Sequence, residues 1–143
     1  MNDFEQCPTE GAIGLLSLLI TRGRLAEARL DGSLAAAGLT FVKWRALDAL
    51  IKSETATGLT VLADKLNCVK SNVTQLVDKL EAEGIVRRVP DPGDRRGTLV
   101  ELTGAGRGLH KAGRDALENA TRQLFASFDE DAMASLRRLL ILL

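Results

Sequence analysis

The chain has no tyrosine, one tryptophan, one histidine, three prolines and two cysteines in 143 residues. Aromatics make up 3% (Phe4, Phe41, Trp44, Phe125 and Phe128), too few for the stacking platforms that hold single-stranded nucleic acid. A lone histidine, His110, provides no ligand set at metal spacing, so no metal and no cofactor are expected. Cys7 and Cys68 cannot build a disulfide framework, which fits a reducing compartment and a cytoplasmic location. Net charge is also missing: nineteen Lys and Arg balance nineteen Asp and Glu, so nucleic acid could be held only by local placement of charge. The longest uncharged run near the start, residues 11–21, spans about 16 Å as a helix against the ~30 Å of a bilayer core. Asp3, Glu5 and Glu10 precede it where a secretory signal would be basic, and no membrane partner is expected.

What is present is ordinary globular material, 45% hydrophobic and 27% charged, enough for one domain over 1–143. A first helix is expected from about Thr9, its N-cap, to Ala37, with Gly38 as the left-handed stop. Its first half is apolar nearly all round and must be buried on two sides, more than so small a chain provides alone. A second helix starts at Thr40 and ends in the polar run 52–58. Thr60 is expected to cap a third, with Leu62, Ala63 and Leu66 inward. After a break at Asn67–Cys68, Val73, Leu76, Val77 and Leu80 repeat at helical spacing up to a stop at Gly84. The opposite face carries Ser71, Gln75 and Asp78, flanked by Asn72, Thr74 and Lys79, with Lys70 at its start.

Two β-type runs, 85–89 and 98–102, flank Pro90-Asp91-Pro92-Gly93-Asp94-Arg95-Arg96-Gly97, read as an eight-residue hairpin loop. Thr103 then opens a long helix with Leu109, Ala112, Ala116, Ala120 and Leu124 on one face, and a last helix runs from Asp129 into the apolar end 139–143. The fold class is therefore mainly α with a small β-hairpin wing: a winged helix-turn-helix over about 40–103, flanked by helices at about 9–37 and 104–143. In such an arrangement the second helix of the pair offers donors and acceptors to base edges in the major groove, and the hairpin carries arginines to phosphates or the minor groove. Residues 59–103 hold seven basic and seven acidic side chains; the surplus is local, four arginines against two aspartates over 84–97.

The run Ser71-Asn72-Val73-Thr74-Gln75-Leu76-Val77-Asp78-Lys79-Leu80-Glu81-Ala82-Glu83-Gly84-Ile85-Val86, followed by Asp91-Pro92-Gly93-Asp94-Arg95-Arg96-Gly97-Thr98-Leu99-Val100-Glu101-Leu102-Thr103, resembles the MarR (multiple antibiotic resistance regulator) family of winged-helix transcription factors. The shared pattern is Leu-Glu-x-x-Gly closing the recognition helix, Asp-x-Arg in the wing, and Leu-Thr before the next helix. The resemblance implies that Arg96 is the wing-tip arginine for the minor groove, braced by Asp94, and that the outer helices form a homodimer. It implies a double-stranded DNA operator as partner, contacted by Lys70, Ser71, Asn72, Thr74, Gln75, Lys79, Asp94, Arg95 and Arg96.

The expected function is a ligand-responsive repressor. A small effector, apolar or weakly anionic, would enter a crevice between the dimerising helices and the winged helix, lined by Leu16, Trp44 and Leu109 with Arg22 or Arg45 as its charge partner; core packing explains the apolar three equally well. Asp78 should sit outside the DNA contact or pair with Lys79 or an arginine. Cys68 reads as a small buried filler or as a thiol activated by the following helix, and Cys7 as a redox-sensor position, although the tyrosines found around such thiols in the family are absent. A winged helix used for protein–protein contact stands as an alternative. An enzyme built on Cys7 and His110 lacks any third orienting group.

Overall fold

The computed structural model describes residues 11–143. Helix α1 (Gly11–Leu34) passes through a single 3-10 turn, Ala35–Ala37, and stops at Gly38, whose φ of 69° is the left-handed conformation a glycine adopts without strain. The expected cap at Thr9 lies outside the described residues. Helix α2 (Phe41–Lys52) has two N-terminal anchors. Thr40 Oγ1 accepts the Lys43 N–H at 3.3 Å, and Asp31 of α1 accepts the Phe41 N–H at 2.6 Å, placing an anion at the positive end of the helix and joining α1 to α2.

Helix α3 (Leu59–Leu66) begins one residue before Thr60, with Gly58 rather than Thr60 as its N-cap. The reason is a strand the sequence does not announce: Thr57–Gly58 (β1) pairs antiparallel with the hairpin, Thr57 facing Val100 and Gly58 facing Leu99, so the chain is already fixed when the helix starts. Asn67 then turns left-handed at φ 53°, the Cys68 N–H donates to the Ala63 carbonyl, and α4 (Lys70–Ala82) follows. Val73, Val77 and Leu80 of α4 are buried, as its periodicity requires.

Strands β2 (Val86–Asp91) and β3 (Asp94–Leu102) complete a sheet of order β1-β3-β2. The strands run farther than expected: the connection is only Pro92–Gly93, not eight residues. The ladder passes from Pro90↔Thr98 directly to Asp91↔Asp94, so Arg95, Arg96 and Gly97 bulge out of β3. Pro90 sits on β2, an edge strand of the sheet, where a proline is tolerated, and the bulge in central β3 throws these three residues outward.

Helix α5 (Gly104–Leu124) is capped by Thr103, whose Oγ1 accepts the Gly106 N–H at 3.1 Å. Its buried face is Gly106, His110, Gly113 and Leu117, not the line through Ala112, which is exposed. Hydrophobic patterning passes over glycine, yet here glycine allows the approach: a Cβ on Gly113 would lie 2.5 Å from Trp44 Cδ1, and one on Gly106 would strike the Ile85 carbonyl. The core gathers in the winged helix around Leu47, Leu62, Val77, Leu80 and Val100, with Leu34 and Leu117 entering from the long helices. Helix α6 (Glu130–Ile141), capped by Asp129 onto the Ala132 N–H, buries no residue. Among the described residues no helix is long and apolar enough to cross a membrane.

Candidate nucleic-acid interface

Burying Val73, Val77 and Leu80 forces the other side of α4 outward, so Ser71, Asn72, Gln75, Asp78 and Lys79 are exposed along it, with Lys70 at its N-terminus. Thr74 is half-buried and its hydroxyl donates back to the Lys70 carbonyl at 2.9 Å, which occupies its proton and leaves oxygen lone pairs for any contact. Beside α4, the hairpin tip is held by two aspartates acting on backbone: Asp91 Oδ1 accepts the Gly93 N–H at 2.8 Å, and Asp94 Oδ1 accepts the Arg96 N–H at 2.9 Å. Such a side-chain-to-backbone turn fixes the chain at Arg96 while leaving its guanidinium unoccupied. Gly97 makes the tip possible, since a Cβ there would lie 2.9 Å from the Asp91 Cβ.

The seven-against-seven balance of charge is sorted in space. Arg87 pairs with Glu101 at 2.6 Å across the ladder, and Arg88 reaches Asp78 at 2.5 Å and also Glu81 on α4. Lys43 takes Glu83 at 2.6 Å. The wing surplus is therefore not four arginines: Arg87 and Arg88 are engaged internally, while exposed Arg95 and Arg96 have no ion-pair partner among the described residues. Asp78 pairs with an arginine, as expected, and that arginine is Arg88. Hydrogen bonding from Asp78, reinforced by Glu81 and opposed by burial, raises the Arg88 guanidinium pKa above its usual value.

The proposed effector residues do not share a cavity. Arg22 borders an apolar groove of about 700 Å³ between α1, the end of α5 and α6, together with Leu15, Leu19, Phe125 and Leu140. Trp44 lines a separate cleft of about 390 Å³ between α2 and α5, with Phe41, Asp48, Lys52 and Arg114. Arg45 is engaged elsewhere, donating to the Leu66 carbonyl at 3.2 Å and so tying α2 to the end of α3. Leu109 packs on the core and Leu16 is exposed on α1. Cys68 is exposed rather than buried, because the left-handed turn at Asn67 carries it off the inner face of α3; Cys7 lies outside the described residues.

The seam between α2 and α5 holds a polar arrangement that the sequence did not single out. Trp44 stacks on buried His110 with centroids 5.4 Å apart and donates through Nε1 to the His110 carbonyl at 3.2 Å. The His110 ring meets Asp48 Oδ1 at 3.1 Å, and Lys52 meets the other Asp48 oxygen at 2.6 Å. Burial alone raises the Asp48 pKa, but the Lys52 and His110 hydrogen bonds outweigh it and hold the carboxyl below its ordinary value. Ionised Asp48 therefore stabilises the fold at all pH values above the ordinary carboxyl range, and that contribution is lost as pH falls through the depressed value, below about pH 4. Asp48→Asn should cost about 1 kcal/mol or less at neutral pH, and its melting curve should converge on wild type in acid. A deficit that persists undiminished at pH 3 would assign the effect to packing.

A family model described as MarR family matches residues 37–97, the winged helix. The chain is 42% identical over 74 residues to the transcriptional activatory protein BadR of Rhodopseudomonas palustris, a match covering 50% of this chain and 42% of that relative. It is 28% identical over 102 residues to the homoprotocatechuate degradative operon repressor of Escherichia coli, covering 71% and 68% of the two. In the first of these curated relatives the chain thus spans less than half of the length. Among solved structures it resembles a mutant of Escherichia coli MarR, complexed there with operator DNA, with a TM-score of 0.84 at 24% identity over 90% of this chain and 91% of that one, which shows a common fold. The helix-turn-helix and hairpin, their sequence pattern and the helices that flank them agree with this likeness: over residues 37–97 the chain matches the MarR family, and it shares the fold of MarR-family regulators.

Proposed function

We propose that the protein is a sequence-specific transcriptional regulator that binds double-stranded DNA as a homodimer and acts as a ligand-responsive repressor. The observation that carries the DNA reading is the sorting of charge at α4 and the wing. Every carboxylate of α4 and the hairpin is engaged by an internal cation or a backbone N–H, whereas Lys70, Lys79, Arg95 and Arg96 have no such partner among the described residues. That surface meets a polyanion with its cations free. Ser71, Asn72, Thr74 and Gln75 lie between them as base-edge or phosphate contacts.

Homodimerisation is supported by the apolar side chains exposed on the long helices, including Ile13, Leu15 and Leu16 of α1 and Leu139 to Leu143 at the end of α6. Two-fold pairing of these faces covers them and sets two recognition helices about one turn of B-DNA, ~34 Å, apart. An effector that prefers a differently spaced dimer lowers DNA affinity by linkage. The Trp44 cleft has an aromatic wall, and its cations Lys52 and Arg114 are already paired with Asp48 and Glu118, so it suits a small, largely apolar compound, and Trp44 fluorescence should respond at the concentration that releases DNA.

The deciding experiment is a salt titration on duplex DNA. Phosphate contacts give a steep fall of affinity with salt. Salt-steep binding supports the regulator, whereas failure to bind any genomic fragment, together with capture of an acidic protein by the same arginines, would favour a protein–protein module. Gln75→Ala should alter base preference by about 1–3 kcal/mol at one position in each half-site and leave the salt slope unchanged. Identical site selection by wild type and variant would remove Gln75 from the reading surface.

A further inference from the structure

We propose that Arg88 is a positioning residue for DNA engagement, one that seats the wing on the recognition helix and masks two carboxylates of that helix; this rests on the DNA-binding reading above. Arg88 stands on β2 opposite Val100, and its side chain turns back onto α4 instead of outward. Three bonds join the two elements. The guanidinium donates from Nη2 to Asp78 Oδ1 at 2.5 Å and from Nη1 to Glu81 Oε2, while the Arg88 backbone N–H donates to Glu81 Oε1 at 3.0 Å. Both oxygens of Glu81 are thus held by one residue, through its main chain and its side chain, which fixes the height of β2 along α4 and with it the direction of the hairpin.

The electrostatic consequence follows from the helical spacing. Asp78 lies one turn beyond Gln75 on the exposed side, its side chain 56% accessible, so unpaired it would oppose any phosphate brought to that face. Glu81 is one further turn along. A single guanidinium lies against both, and its planar fork can reach two carboxylates where one ammonium would reach one. Arg88 is itself only 26% accessible and its donors face α4, in contrast to Arg95 and Arg96 at the tip. Arg87, next in the strand, pairs away to Glu101 and takes no part.

The test is a comparison of Arg88→Gln in two backgrounds, wild type and Asp78→Asn/Glu81→Gln, by equilibrium binding to one duplex operator fragment across a salt series. Arg88→Gln should weaken binding by about tenfold or more in the wild-type background and by less than about threefold once the carboxylates are neutral, with Arg88→Lys intermediate. An equal loss in both backgrounds, with a salt slope lower by about one per subunit, would show Arg88 itself on a phosphate and overturn the inference. Wild-type affinity in Arg88→Gln would overturn it as well. If the wild-type protein binds no duplex, the regulator reading fails, and amide exchange then decides the clamp by itself. The Arg88 N–H should exchange at least about tenfold faster in Glu81→Ala than in wild type, at unchanged melting temperature, and an unchanged rate would refute the seating of the wing.

Discussion

Leu140→Glu should yield a folded monomer that no longer binds operator DNA with high affinity. Leu140 lines the groove of about 700 Å³ between α1, α5 and α6, facing Leu15, Leu19 and Phe125. If that groove is closed by a second copy, two-fold symmetry buries two new carboxylates at once, each without a partner and each costing several kcal/mol. The dimer constant should weaken by at least about 10³-fold, which sedimentation velocity at micromolar concentration reads directly. The fold itself should survive, because α6 contributes no buried residue and the core lies in the winged helix. Loss of simultaneous half-site contact should then cost about 10²–10⁴ in apparent affinity for a two-site operator. Deletion of Leu139–Leu143 should give the same monomer or an aggregate. A wild-type chain that sediments as a monomer at these concentrations contradicts the dimer outright.

Arg96→Ala should weaken DNA binding by about 30-fold or more without changing the melting temperature. The side chain is exposed and unpaired among the described residues, so the fold loses little when it is truncated. Asp94 continues to hold the backbone N–H of residue 96, so the tip keeps its shape and the variant removes only the guanidinium. Each dimer loses two such groups, at about 1–2 kcal/mol apiece for a minor-groove or phosphate contact. Arg95→Ala/Arg96→Ala should lower the salt slope by up to about four for the dimer. Binding equal to wild type at every salt concentration would take the wing off the DNA.

The parts of this protein that were legible in the sequence are those in which neighbouring residues settle the matter among themselves. Thr40, Thr103 and Asp129 cap their helices because a side-chain oxygen three residues from an N–H needs no distant partner. Gly38 and Gly84 stop helices because their backbones turn left-handed, and Val73, Val77 and Leu80 fall on one face by helical arithmetic alone. The exposure of Ser71, Asn72, Gln75 and Lys79 follows from that same arithmetic, and the prolines and glycines of 90–97 between two β-type runs mark the hairpin, though not the length of its strands.

Contacts between distant parts of the chain settled the rest. Two residues, Thr57 and Gly58, form a strand only because β3 lies alongside them. The buried face of α5 runs through Gly106 and Gly113, which carry no hydrophobic signal and are selected by the backbone and ring that approach them. No local rule distinguishes Arg88, bound to Asp78 and Glu81, from Arg96, bound to neither, since each is the second arginine of an Arg-Arg pair within three residues of an aspartate in the chain. Trp44, Arg22 and Arg45 are likewise dispersed to a cleft, a groove and a helix end by the packing of α1, α2 and α5. The order of elements, the exposed polar face of α4 and the likeness to a family could be read from residue order, because caps, periods and turns act over short stretches of chain. Which charges remain free to meet a polyanion was settled only when α4 and the hairpin came together, because an ion pair forms by distance in space and not by spacing along the chain.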